Sequence, residues 1–226
     1  MKRVAGGIYL LEAAAPANAF LIEGSADLTL VDAGPEDKAA ALLLELQDNG
    51  FRPRDVQRSI VTHAHPGHAG ALAPLLREHR FKVYAHPFDI PVLTGRETPA
   101  PARAGFLGSL RRRAPSWKAV DIALSVETGQ SVRGLPQWQV LHLPGHTPGS
   151  IGLYHPVRQV LLCGDALVRG ADGALALPTY RQDPAAARAT LAVLAKVDCD
   201  ILCCGHGAVL RGGAFRFVDK LNRETA

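Results

Sequence analysis

What the chain lacks narrows its class before any motif is read. No apolar run approaches the roughly 20 residues that a membrane-crossing helix needs, so no membrane partner is expected. The start, Met1-Lys2-Arg3 followed by an apolar, alanine-rich stretch, has the outline of a secretory signal, but Glu12 interrupts its apolar centre and the segment reads as structure. No C-x-x-C pair occurs among Cys163, Cys199, Cys203 and Cys204, which lie late in the chain and mostly inside apolar segments. That spacing argues against a zinc ribbon or a disulfide framework and for buried thiols in a reducing, cytoplasmic compartment. Basic charge is not concentrated either. The formal net charge is +4 over 226 residues and the arginines are scattered except at Arg111-Arg112-Arg113, so no nucleic-acid partner is expected.

What is present begins with a core. At 47% hydrophobic and 20% charged residues, the chain can bury one as a single domain over residues 1–226. Apolar segments at 4–11, 18–23 and 28–31 read as an opening antiparallel meander. The next helix is expected over 35–49, with acids early and Gly50 as its stop. Strand 58–61, a helix over 69–79 starting at or just before His68, and strand 82–85 follow. This order predicts sheet layers with helices outside them.

Residues 94–117 break the pattern. Proline, glycine and the arginine run surround a short helix-like stretch at 106–112, which reads equally as a cover over a site or as a surface excursion. If it is a cover, Arg103 or the arginine run is positioned to hold an acidic substrate. Strands return at 138–143, 150–154 and 159–163. Asp183-Pro184 caps a helix to about residue 196, strand 201–204 is the last, and 215–221 closes the chain as a helix.

The chemistry gathers at strand ends. Thr62-His63-Ala64-His65-Pro66-Gly67-His68 puts three imidazoles into six residues, and Pro66-Gly67 supplies the turn that lets them converge. A solvated histidine-rich loop has the same composition, so the cluster gains its meaning from its company. Asp32, His146 in Pro144-Gly145-His146-Thr147-Pro148-Gly149, Asp165 after Gly164, and His206 in Gly205-His206-Gly207 each follow a predicted strand. Five histidines with one or two carboxylates at one sheet edge are the donor set of a mononuclear or polynuclear metal site. Thr62 and Thr147 read as hydrogen-bonding neighbours of the ligands or as plain loop capping. His79, His86, His142 and His155 read as surface or structural residues, as do Tyr180 and Arg181 beside the site.

In this order and behind Val31-Asp32-Ala33-Gly34, these motifs resemble the metallo-β-lactamase superfamily, and the resemblance covers nearly the whole chain. It implies an α/β fold, the four-layer αββα sandwich, with metal along one edge. By the family pattern His63, His65 and His146 hold a first metal, Asp165 bridges, His68 and His206 belong to a second, and Asp32 lies behind the ligands. Asp165, His68 and His206 are then also the residues nearest the attacking water. One departure stands out: the family motif is H-x-H-x-D-H, and Gly67 occupies the aspartate position. A formed first site and a weakened second one are therefore expected.

The implied activity is metal-dependent hydrolysis of a small-molecule ester, thioester or lactone, with Zn2+ as one or two ions and Fe or Mn as the other metals the scaffold takes. A homoserine-lactone lactonase is disfavoured because Val168 stands three beyond Asp165, where such enzymes carry tyrosine. The alternatives are a persulfide-dioxygenase-like enzyme with one iron on His63, His146 and Asp165, and a non-catalytic member of the same scaffold.

Overall fold

The computed structural model describes residues 1–98, 118–122, 124–132 and 134–225. The predicted cover at 94–117 falls for the most part outside the described residues, together with its helix-like stretch and arginines. The opening meander contains β1 (Lys2–Ala5), β2 (Ile8–Leu11), β3 (Ala19–Glu23) and β4 (Leu28–Val31), paired antiparallel in that order. The apolar segment expected at 4–11 is thus two strands. Gly6-Gly7 turns the chain between them, and Gly7 takes φ +68, a conformation that costs glycine least.

After β4, a 3-10 turn and α1 (Ala39–Asp48) cross to β5 (Val56–Ile60), which pairs parallel to β4 with Val31 opposite Ile60. The helix expected over 69–79 is broken into α2 (Pro66–Ala69) and α3 (Leu72–Glu78). Its break has two causes. Pro74 has no N–H to continue a helix from 69 and so sits in the first turn of α3. Ala33 also donates to the His68 carbonyl at 2.7 Å, and Ala71 donates to the Gly34 carbonyl at 3.1 Å. These bonds hold residues 68–71 against the end of β4, where a Cβ on Gly70 would collide with the Glu36 backbone. The break therefore fixes His68 directly behind Asp32. Next come β6 (Lys82–Ala85), α4 (Ile90–Leu93) and β7 (Leu124–Ser125), which complete a seven-stranded sheet in chain order.

A second sheet runs β14-β13-β10-β9-β8. Its members are β8 (Gln139–His142), β9 (Ile151–His155), β10 (Val160–Gly164), β13 (Ile201–Cys204) and β14 (Leu210–Arg211). The small pair β11 (Val168–Arg169) and β12 (Leu175–Ala176) stands apart. Helix α5 (Pro184–Leu194) makes the crossover from β10 to β13, which pair parallel. Asp183 caps it as expected, accepting from Ala186 N at 2.9 Å with Pro184 in the first turn. Helix α6 (Ala214–Glu224) ends the chain.

Strand alternation sorts the apolar side chains into three cores. Val31, Ile60, Phe20 and Tyr84 of the first sheet meet Val140, Ile151, Leu153 and Leu162 of the second in the middle layer. Leu30 and Leu21 point outward to α1 and α3, while Leu161 and Leu202 point outward to α5 and α6. Helix, sheet, sheet, helix is the resulting order, the αββα sandwich expected. Each fully buried leucine or isoleucine contributes about 1.5–3 kcal/mol to holding those layers. Among the described residues no helix is long and apolar enough to cross a membrane, and all four cysteines are buried and unpaired.

Candidate metal centre

The candidate residues converge from the two sheets at one edge. The turn after β5 brings His63, His65 and His68 from the first sheet; His146 follows β8, Asp165 follows β10 and His206 follows β13 in the second. Ring centroids of His63 lie 4.8 Å from His65, 4.2 Å from His68 and 4.7 Å from His146. Asp165 lies close to four of the five imidazoles: its carboxylate oxygens are 3.4 Å from His146 Nε2, 3.5 Å from His206 Nε2, 3.6 Å from His68 Nε2 and 3.8 Å from His63 Nε2. Ligand atoms of His63, His65 and His146 lie within 4.8 Å of one another, as do those of His63, His68 and Asp165.

Hydrogen bonds behind these rings decide where their protons go. Asp32, only 2% exposed and held at φ +57, accepts from Thr62 N at 2.8 Å, Thr62 Oγ1 at 2.7 Å and His68 Nδ1 at 2.9 Å. Since the Thr62 hydroxyl donates to Asp32, its oxygen accepts from His63 Nδ1 at 3.0 Å, and His63 Nε2 is left as a bare lone pair. His146 Nδ1 donates to the Tyr180 carbonyl at 2.8 Å, and His206 Nδ1 donates to the Pro16 carbonyl at 3.0 Å. Their Nε2 atoms are free to face inward, His146 toward His65 Nδ1 at 2.8 Å and His206 toward His68 Nε2 at 3.3 Å.

This donor set fits a cation. His63 Nε2 and Asp165 Oδ1 are buried side-chain atoms that find no hydrogen-bond partner among the described residues. Leaving such a group unpaired costs about 1–3 kcal/mol, and both atoms are first-rate ligands for a divalent ion.

Electrostatics divide the cluster in two. Burial, assisted by neighbouring imidazoles, pushes His63 well below the ordinary histidine value, His65 down to about 3 and His146 down, so all three are neutral at pH 7. For His68, burial is outweighed by Asp165 and Asp32, and its pKa rises; for His206 the hydrogen bond to Asp165 raises it. Burial works against ionisation of Asp165, but His68 and His206 bring it to about 2. Three neutral imidazoles with an anionic carboxylate are a donor set that could take up a cation without first losing a proton.

A pH dependence follows for the metal-free chain. His63, His65 and His146, depressed in the fold, contribute stability that is present above the unfolded value of about 6.5 and lost as pH falls. His68 and His206 are raised, so their contribution is present below about 6.5 and lost as pH rises. His155, depressed mainly by burial, adds to the first group. Metal-free protein is therefore expected to melt on the order of 5 °C lower at pH 5 than at pH 7.5. Calorimetry that finds the melting temperature flat or rising on acidification would mean the depressed histidines do not dominate.

Two straps hold the second-sheet ligands in position. Gln182 N donates to the His146 carbonyl at 3.3 Å and Asp183 N to the Gly145 carbonyl at 3.0 Å, so the approach to α5 grips the His146 loop. Gly145 sits at φ +129, and a Cβ there would overlap the Ala187 backbone. Gly145→Ala is expected to lower stability by about 2 kcal/mol or more, read as a reduced urea midpoint at unchanged m. On the other side, Asn18 Nδ2 donates to the Cys204 carbonyl at 2.9 Å and the Gly207 carbonyl at 2.7 Å, bracketing His206.

All the expected site residues, Asp32, His63, His65, His68, His146, Asp165 and His206, meet at this edge. His86 and His142 stack on each other at 4.0 Å outside it, and His155 bonds Gln137. Tyr180 does border the centre, with its ring 5.5 Å from both His65 and His146. A Cβ built on Gly67 meets nothing within 4 Å among the described residues, so the position is open. Asn18 and Asp89 were not picked out from sequence. Asp89 stands one residue before α4 ahead of Ile90-Pro91 and reads there as an ordinary cap, but its side chain caps nothing in that helix.

Fold and site together define a metal-dependent hydrolase. The chain belongs to the metallo-beta-lactamase superfamily, whose model matches residues 14–206. The probable metallo-hydrolase YflN of Bacillus subtilis (strain 168) is 30% identical over 83% of this chain and 78% of its own length. The acyl-coenzyme A thioesterase MBLAC2 of Gallus gallus is 29% identical over 75% of this chain and 66% of its own length. Among solved structures, a metallo-beta-lactamase family protein from Thermus thermophilus superimposes with a TM-score of 0.71 at 22% identity, covering 99% of this chain and 80% of that one. At that identity the likeness is one of fold.

Proposed function

We propose that this chain is a zinc hydrolase of small thioesters and related esters or lactones. In this reading His63, His65 and His146 hold the first Zn2+, with Asp165 shared toward a weaker second position at His68 and His206. The observation that carries it is the pair of stranded atoms, His63 Nε2 and Asp165 Oδ1, at the meeting point of six ligand side chains. The name of the avian relative favours a thioester within the class. When bound, the ion supplies a Lewis acid for the carbonyl and a water whose pKa falls from 15.7 to about 7.

The remaining work belongs to the protein's own groups. Asp165 is ionised throughout the neutral range and accepts a hydrogen bond from the attacking water, which sets its direction. With glycine at 67, no second carboxylate shares that task, so orientation rests on Asp165, His68 and His206. His206 is the more exposed of the two imidazoles, and with Nδ1 committed to Pro16 its Nε2 is the atom that would take up a proton when the second position is empty and would be a ligand when it is filled. The Tyr180 ring covers His65 and His146 on one side and limits water there.

The test is a panel of acyl-coenzyme A thioesters, aryl esters and lactones offered to protein loaded with Zn2+ or Mn2+. Turnover of the thioesters, abolished by a chelator and restored by metal, is expected. No turnover of any of them by either form overturns the proposal. Oxygen uptake on a persulfide by iron-loaded protein would replace it with the redox alternative.

A further inference from the structure

Asp89 is 2% exposed and sits just after β6, in the first sheet, outside every motif described above. Its Oδ2 accepts from Ala64 N at 2.6 Å and from Thr147 Oγ1 at 2.8 Å; its Oδ1 accepts from Gly149 N at 2.8 Å. Ala64 lies between His63 and His65, and Thr147 follows His146. One carboxylate therefore bonds the loops of both sheets that supply the three neutral imidazoles. Thr147 is itself fixed, since its N–H donates to Ser150 Oγ at 3.0 Å. Gly149 leaves the room: a Cβ there would lie against the Asp89 carboxyl.

We propose that Asp89 is a positioning residue for the metal centre, a clasp that sets the spacing between the His63-His65 turn and the His146 loop. This rests on the metal-hydrolase reading above. Asp32 anchors the same turn one residue earlier, through Thr62, but all its bonds stay within the first sheet. Asp89 crosses to the second. Three donors converge on it, so it is a hydrogen-bond acceptor throughout, and it touches neither the ligand atoms nor the space between them. Its effect reaches the metal through the 2.8 Å approach of His146 Nε2 to His65 Nδ1. An amide of the same size has only one accepting oxygen; in Asp89→Asn the NH2 is forced to face the N–H of either Ala64 or Gly149, and the two loops separate.

The test uses Co2+ alone as probe, because its visible absorption reports ligand geometry without any turnover. Wild-type protein and Asp89→Asn are titrated with Co2+ and melted without metal. The expected result is Co2+ binding about 10- to 100-fold weaker in the variant, with a shifted and weaker visible band. If Asp89 serves only the fold, the metal-free melting temperature drops while the Co2+ affinity and spectrum stay as in the wild type, and that result overturns the proposal. Should Asp89→Asn not fold, Thr147→Val removes only one of the three donors. It is expected to weaken Co2+ binding in the same direction by a smaller factor, and an unchanged spectrum and affinity there also overturn the proposal. Wild-type protein that takes up no Co2+ sinks the metal reading and this one with it, whereas tight wild-type binding with an indifferent Asp89→Asn sinks this one alone.

Discussion

His63→Ala is expected to leave a folded chain that has lost both metal binding and hydrolysis. His63 is the one imidazole belonging to both groups of converging ligand atoms among the described residues, and its Nε2 is the buried lone pair without a partner there. Removing a residue that merely supports a ligand costs 10- to 100-fold in metal affinity, so loss of a direct ligand of the first position is expected to cost at least roughly 100-fold. Turnover is expected to fall by on the order of 10^3-fold or more, since water without a metal loses its hydroxide form at neutral pH. Metal analysis after dialysis, with circular dichroism as the check on folding, reads the result. A variant that retains a full equivalent of Zn2+ would contradict the assignment.

The second large effect is expected at the position where the motif departs from the family pattern. Gly67→Asp adds a carboxylate beside His68 at a place where a Cβ meets nothing within 4 Å among the described residues, so none of them has to move. The residue sits in the first turn of α2, where an acid also suits the local backbone. An added anion beside His68, Asp165 and His206 completes a four-ligand second position. The variant is expected to bind close to two equivalents of Zn2+ where the parent binds little more than one, and to turn over about tenfold faster. Unchanged stoichiometry together with unchanged turnover would mean that the vacancy at 67 is not what limits the second position.

Most of the architecture was legible because strand ends and motif residues coincide. Asp32, Asp165 and His206 each sit where an apolar run stops. What escaped was set by distant backbone. The helix expected at 69–79 contains both Gly70 and Pro74, and Pro74, which has no N–H to continue a helix from 69–70, marked the interruption in the sequence; what needed the structure is that 68–71 bond to the end of β4. The hairpin at Gly6-Gly7 was legible, since two glycines between apolar runs mark a two-residue turn, and the expected single segment at 4–11 passed over it. Asp89 and Asn18 were illegible for a different reason: each is an ordinary residue locally, and its significance lies in acceptors and donors more than 24 positions away. Thr62 was legible as a neighbour of the ligands, but its part in setting the His63 proton needed the orientation of Asp32.

The division of ligands between the two sheets has a mechanical consequence. Three donors ride on the turn after β5 and three on the strands of the opposite sheet, so an ion gripped by both acts as a rivet through the sandwich. Whatever free energy the ion gains on entering must then be surrendered before the layers can part, which amounts to about 2.7 kcal/mol at a free concentration one hundred times its dissociation constant. Chelation would loosen the protein at that one edge first, and the opposite edge would register it last.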